Sequence, residues 1–200
     1  MLDKHEIREL LIRWAECRDR ALWDELRDCF TEDGAIAISW IVGSADAFVE
    51  GSRKLIAAQT GEQYAKHVCS EPNIRVNGRH GLCQTHVEFM SRIVVDGHKL
   101  DWAFYAQFLD LVDKCDDGKW RIHLRTAVYE RDRLDPVVPH EVPQSFWDSL
   151  ELDSHPPRLR FMYGIRGRQD RPAPVDGLTF VRTPEEDALR ARAEAWLASG

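Results

Sequence analysis

The chain has 200 residues, of which 44% are hydrophobic and 30% charged, and its formal net charge is −7 at pH 7. This length and composition predict one soluble domain with an appendage, able to fold without disulfides or metals. The acidic balance disfavours nucleic-acid binding, and neither a membrane span nor a secretory signal is apparent. Five cysteines without a C-x-x-C pair indicate free thiols, and we expect a cytoplasmic protein.

The N-terminal part is predicted to be mainly helical. Apolar residues at helical spacing predict helix over 3–30, with a second stretch that begins near Leu22. Asp3 is expected to cap the first helix, with Glu6 completing a capping box. A polar turn at 32–34 should be followed by a strand over 35–42 and a short helix over 45–58.

From about residue 66 the hydrophobic period changes to two, which predicts a run of strands. They are expected over 66–69, 73–77, 82–95, 100–113 and 120–130, separated by turns rich in Asn, Asp and Gly. Long antiparallel strands in one domain usually curl. Helices followed by hairpins therefore predict an α+β fold, in which helices close one face of a bent sheet.

The C-terminal part has a different character. Five prolines over 134–157 predict an irregular arm, and Thr183, Pro184 and Glu186 predict the start of a final helix. The predicted division is a domain over 1–133 and an arm with a helix over 134–200. Apolar residues in the arm need a surface to cover, so we expect them to pack on the same or a neighbouring subunit of a homodimer or homotrimer.

Familiar cofactor and metal motifs are absent. The chain contains no phosphate-binding glycine loop, no G-x-S-x-G elbow and no H-E-x-x-H pair, and its eight histidines lack metal-ligand spacing. We therefore expect no cofactor and no metal.

Two segments carry a resemblance to a known family. Asp19 opens the segment D-R-A-L-W-D-E-L-R-D-C-F-T-E-D-G, and a later segment over 117–125 has the pattern D-G-K-W-R-I-H-L-R. Between them, His67 lies six residues before N-I-R-V-N-G. In this order, over about residues 2–129, they resemble the SnoaL-like branch of the NTF2-like superfamily. The resemblance implies a cone-shaped barrel of strongly bent antiparallel sheet, in which N-terminal helices close a cavity.

Within this superfamily, Asp19 and His67 are similar to the Asp–His dyad of scytalone dehydratase and hexachlorocyclohexane dehydrochlorinase. The resemblance implies that His67 is a general base, that Asp19 orients it and stabilises its imidazolium, and that no cofactor is used. Histidine suits this task because it titrates near neutral pH. The structural alternative is that Asp19 merely ends a helix and His67 bonds a backbone carbonyl. One departure is Arg18, where scytalone dehydratase carries a tyrosine.

Strand alternation and side-chain chemistry select further candidates for the site. We expect substrate contacts from Trp40, Tyr64, Lys66, His86, Tyr105, Arg125 and Tyr129. Lys66 and Arg125 are the expected charged partners of a substrate oxygen. Strict alternation on the last long strand places one set of side chains, Arg121, His123, Arg125, Ala127 and Tyr129, opposite the set Trp120, Ile122, Leu124, Thr126 and Val128.

The sequence thus predicts a cofactor-independent lyase acting on a small hydroxylated aromatic molecule, with no nucleic-acid or membrane partner. The leaving group is water, halide or, as in related γ-formaldehyde lyases, formaldehyde. One alternative is a polyketide- or steroid-type isomerase or cyclase, which needs an acid such as Tyr105, Glu88 or Asp101. Another is a non-catalytic small subunit of a ring-hydroxylating dioxygenase, which shares the fold.

Overall fold

A strongly curved, unclosed sheet organises the fold in the computed structural model, which describes residues 2–166, 168 and 173–200. The helices are α1 (Leu2–Asp19), α2 (Trp23–Asp28), α3 (Ala45–Ala57), α4 (Gln144–Ser149), α5 (Arg160–Ile165) and α6 (Pro184–Ala198). The strands are β1 (Phe30–Ile38), β2 (Ile41–Ser44), β3 (Tyr64–Cys69), β4 (Asn73–Asn77), β5 (His80–Val95), β6 (His98–Lys114), β7 (Trp120–Pro136) and β8 (Thr179–Phe180).

The sheet has the strand order β2-β1-β7-β6-β5-β3, with β4 also paired to β5 and β8 to β7. Long hairpins join β5, β6 and β7 in antiparallel register. The predicted α+β class and bent sheet are confirmed. The long strands are antiparallel, whereas β1 and β8 run parallel to β7.

The N-terminal helices differ from the prediction at both ends of α1. The helix ends at Asp19, and Ala21 adopts a left-handed φ of 58° that separates it from α2. Asp3 lies inside the first turn, where its Oδ1 accepts hydrogen bonds from Lys114 Nζ at 2.6 Å and Trp120 Nε1 at 3.0 Å. The predicted cap is thus replaced by a tertiary contact with β6 and β7.

The first strand begins at Phe30, inside the segment predicted to be helix and turn. Its polar residues 32 and 33 are exposed, at an irregularity in the pairing with β7. Ser39 and Trp40 form a turn that divides the predicted strand 35–42 into β1 and β2. The polar stretch predicted to be a turn is thus an irregularity inside the strand, and the pairing with β7 resumes at Ala35.

A second bulge corrects the predicted faces of β7. Val112 pairs with Ile122 and Leu111 with Leu124, so His123 is an extra residue on β7. An extra residue shifts the alternation of side chains by one position. Ile122, before the bulge, therefore belongs to the same core as Tyr129, after it.

The C-terminal segment completes the core of the same chain. β7 continues to Pro136, past the predicted boundary at residue 133, and the predicted irregular arm contains the short helix α4. Apolar side chains of this segment join the main core, namely Phe146, Leu150, Leu159, Met162 and Ile165. Helix α6 covers the opposite face of the sheet, where Leu189 and Ala193 pack with Leu82, Leu109 and Val128. Thr183 Oγ1 accepts the Glu186 N–H, which confirms the predicted cap.

All five cysteines are free, as predicted. Cys17, Cys29 and Cys83 are buried, and burial raises the pKa of each thiol, to about 11 for Cys29. They are therefore protonated and pack as small apolar side chains. Among the described helices, none combines the length and apolar character that a membrane span requires.

Candidate active site

The concave side of the sheet encloses a cavity of about 440 Å³. Helices α1 and α3 close it on one side, and Ile165 and Arg166 bring the C-terminal segment to its wall. Eight aromatic side chains line it: Trp14, Trp40, Phe48, Phe89, Trp102, Phe104, Phe108 and Tyr129. Such a wall suits a flat organic ligand, because aromatic rings offer large contact areas with few rotatable bonds.

Asp19 and His67 meet at one side of this cavity. Asp19 Oδ1 lies 2.6 Å from His67 Nδ1, and Asp19 Oδ2 accepts the backbone N–H of His67 at 2.9 Å. The Asp19 side chain is 7% exposed and that of His67 9% exposed. The Asp19 carboxylate thus holds both the backbone and the imidazole ring of His67. Because Nδ1 is engaged by Asp19, Nε2 is the ring nitrogen left for a ligand in the cavity.

The imidazole is held from its sides by aromatic rings. Trp14 and Phe89 contact it edge-on, with ring centroids 5.4 and 5.0 Å away. Behind Trp14, the guanidinium of Arg125 lies 4.0 Å from that ring and forms a bidentate pair with Asp110 at 2.7 and 2.9 Å. This stack restricts the rotation of His67, which keeps Nε2 in one orientation.

The surroundings of His67 keep the ring neutral. Burial lowers the pKa of His67, whereas the hydrogen bond and negative charge of Asp19 raise it, and the charges of Arg18 and Arg125 lower it. Burial prevails, so the pKa lies below the ordinary value near 6.5. A neutral imidazole at pH 7 is the protonation state that accepts a proton.

We expect a proton titration of His67 to show this balance directly. Its pKa should lie below 6.5, and Asp19→Asn should lower it further because the stabilising negative charge is removed. The measurement is an NMR titration of the histidine Cε1–H signals, with His67 assigned from the signal that His67→Asn lacks. A His67 pKa above 6.5, or no change in the Asp19→Asn protein, would contradict this account.

Of the seven predicted substrate contacts, the structure places Trp40 and Tyr129 on the cavity wall. Trp40 packs beside Phe48, with ring centroids 5.7 Å apart. Tyr129 is 1% exposed, and its hydroxyl accepts the Ser39 N–H at 2.7 Å. Burial raises the pKa of Tyr129, so the phenol keeps its proton.

The other five lie away from the cavity lining, which corrects the predicted placement. Arg125 is buried behind Trp14 and is occupied by Asp110. The remaining four occupy the outer face of the sheet, because their strands alternate with inward residues such as His67 and Phe104. They are Tyr64 and Lys66 on β3, His86 on β5 and Tyr105 on β6. His86 lies beside Glu130 of β7, and the guanidinium of Arg131, also on β7, lies over the Tyr105 ring. Lys66 Nζ is 4.0 Å from Asp19 Oδ2, on the outward side.

The acids required by the isomerase alternative are also absent from the described lining, since Tyr105, Glu88 and Asp101 do not belong to it. Asp101 is instead bound by Arg92 at 2.8 and 2.9 Å. Within the described residues, no three histidine, cysteine or acidic side chains are grouped as metal ligands.

Sequence reasoning missed three cationic lining residues, Arg18, Arg92 and Arg166. Arg18 lies four positions after Trp14 and continues its helical face, and this spacing was the available signal. Arg166 follows α5, and its Nη2 donates to Ser39 Oγ at 3.0 Å. The segment around Arg166 has no periodic pattern that would relate it to Ser39, which lies more than a hundred residues earlier in the chain.

Comparisons with known proteins extend over the whole chain. Pea pathogenicity protein 2 of Fusarium vanettenii is 25% identical over 206 residues, covering 98% of this chain and 86% of that protein. An uncharacterized protein of Emericella nidulans is 26% identical over 212 residues, covering 98% and 87%. The likeness to both relatives therefore includes the C-terminal segment.

The structural likeness covers about two thirds of the chain. A Novosphingobium aromaticivorans protein named as a scytalone dehydratase candidate superposes with a TM-score of 0.56 at 20% identity, covering 66% of this chain and 91% of its own. At this identity, the superposition shows a shared fold alone. The family model described as a SnoaL-like domain matches residues 1–126, which span helices α1, α2 and α3, the Asp19–His67 contact and most of the sheet. The chain therefore belongs to the SnoaL-like family.

Proposed function

We propose that this protein is a cofactor-independent lyase that acts on a small hydroxylated aromatic molecule. The observation that carries the proposal is the 2.6 Å contact between Asp19 Oδ1 and His67 Nδ1 beside an aromatic cavity. A buried carboxylate that holds a neutral imidazole is the arrangement a general base requires. The resemblance of these two residues to the dyad of cofactor-independent lyases supports the same assignment.

The chemistry begins with a proton transfer to His67 and ends with the departure of a leaving group. His67 Nε2 takes a proton from the substrate, and the positive charge on the ring is stabilised by Asp19 through Nδ1–H. In an elimination, the electrons of the broken C–H bond form a new double bond and the leaving group departs with its bonding pair; a departing hydroxyl group takes the proton back from His67 and leaves as water. The Tyr129 hydroxyl supplies a hydrogen bond to a substrate oxygen as charge develops there.

Water, halide and formaldehyde are the leaving groups compatible with this base. For water or halide, His67 takes a proton from carbon and an alkene or arene forms. For formaldehyde, His67 takes a proton from a hydroxyl group, and the O–H electrons form the C=O bond of formaldehyde as the adjacent C–C bond breaks. The pair of the broken C–C bond passes to the carbon of the aromatic fragment, which takes the proton back from His67. The aromatic lining supports a substrate that carries a ring next to the reacting carbon.

We expect activity to survive removal of metals and nucleotides. The full-length protein is treated with chelator, dialysed exhaustively and assayed by mass spectrometry on three sets of aryl compounds, carrying a β-hydroxyl, a β-halide or a hydroxymethyl group. Turnover of one set at an unchanged rate supports the proposal. Activity that returns only with added Zn²⁺, Fe²⁺ or a nucleotide, or no turnover in any set, would contradict it.

A further inference from the structure

Arg18 is the most unusual charged side chain of the described cavity wall. It occupies the last turn of α1, next to Asp19, and only 8% of the residue is exposed. Burial lowers the pKa of its guanidinium to about 10, so the group is still positively charged at neutral pH. The general base of the proposed function is therefore accompanied by a buried cation.

Among the described residues, the guanidinium of Arg18 has no hydrogen-bonding or ionic partner. Its Nη1 is fully shielded from solvent. Two other arginines near the cavity do have partners, because Arg125 and Arg92 each form a bidentate pair with an aspartate. A buried charge without a partner is costly, because it has lost its hydration and gained nothing in return.

The charge of the described cavity wall has one sign. The lining residues include three arginines, Arg18, Arg92 and Arg166, and no aspartate or glutamate. Asp101 neutralises Arg92. The carboxylate that follows Arg18 in the chain, that of Asp19, binds both the ring and the backbone N–H of His67. An acidic protein, with a net charge of −7, thus encloses a cationic cavity.

We propose that Arg18 binds a carboxylate of the substrate, so that the cavity selects aromatic organic acids over neutral aromatic molecules. The proposal rests on the proposed function only for the identity of the substrate site, because binding needs no proton transfer. A guanidinium and a carboxylate form paired N–H···O hydrogen bonds, which satisfy the donors of Arg18 and neutralise its charge inside the cavity. Arg18 directly precedes Asp19, the partner of His67. A carboxylate bound to Arg18 therefore holds the substrate beside His67.

The test compares two ligands of the same shape, 2-naphthoate and the neutral 2-naphthamide, by isothermal titration calorimetry on the full-length protein at pH 7.5. The wild-type protein should bind naphthoate at least about tenfold more tightly, as expected for charge-assisted hydrogen bonds in a buried site. Arg18→Met should remove this preference, whereas Arg18→Lys should retain part of it. Arg20→Met is the matched control, since Arg20 lies on the surface and pairs with Glu16.

Equal affinities for the two ligands in the wild-type protein would overturn the proposal and indicate that Arg18 serves a neutral carbonyl. An unchanged preference in a folded Arg18→Met protein would overturn it too. Circular dichroism establishes folding, and the Arg18→Lys protein provides the comparison if the Met variant does not fold. His67→Asn separates the two proposals, because it should lower turnover by about a hundredfold or more and keep the naphthoate preference. A preference without lyase activity in any protein would contradict the proposed function alone.

Discussion

His67→Asn should lower kcat by about a hundredfold or more, the range expected when a positioned general base is removed. The asparagine amide still donates a hydrogen bond to Asp19 but has no basic nitrogen for the substrate proton. The matched control is His86→Asn, the same substitution at a histidine whose side chain is 62% exposed on the outer face of the sheet. The rates of both variants are measured at saturating substrate, and the control should match the wild-type protein.

Asp19→Asn should also reduce kcat by tenfold or more, since an amide leaves the developing imidazolium without its counter-charge. The acid limb of the pH–rate profile should lie below pH 6.5 in the wild-type protein and move to lower pH in this variant. The sign follows from the proton balance: His67 is active when neutral, and loss of Asp19 makes it harder to protonate. Full activity of both dyad variants would exclude His67 as the base.

Asp110→Ala should destabilise the fold by about 3–5 kcal/mol, the usual cost of leaving a buried ionic partner uncompensated. The Asp110 side chain is fully buried and that of Arg125 is 2% exposed, so water cannot replace the lost carboxylate. The change is measured as a shift in the midpoint of urea unfolding. A loss of this size is a large part of the stability of an ordinary domain.

Asp101→Ala is the matched control for this experiment. The Arg92–Asp101 pair has the same bidentate geometry on neighbouring strands, but its side chains are 28% and 49% exposed. Solvent can hydrate Arg92 after the substitution, so the midpoint should shift only slightly. Similar midpoint shifts in Asp110→Ala and Asp101→Ala would show that the burial of Arg125 does not determine the loss of stability. A double variant, Asp110→Leu with Arg125→Met, should recover part of the stability because no charge is left buried.

The predictions that held depend on neighbours in the sequence. The apolar spacing of α1, the Thr183 cap of α6 and the turn residues between β4, β5, β6 and β7 act within a few positions, so the local sequence determines them. The same local patterns, with their order along the chain, suffice for the α+β class and the bent sheet. Asp19 and His67 were selected by their positions in a family pattern, and the structure brings them into contact over 48 residues of separation.

The features that the sequence did not reveal depend on contacts between distant segments. The bulge at His123 changes which side chains of β7 face the core, and a bulge is recognised only from the partner strand. Asp3 found partners on β6 and β7 more than a hundred residues away, and these displaced a cap that its neighbours favoured. Arg18 lies in an ordinary helical pattern, and only the packing of α1 against the sheet and the C-terminal segment encloses it. The sequence by itself determined the elements and the pair Asp19–His67, whereas tertiary packing decided which other residues surround the cavity and how it is charged.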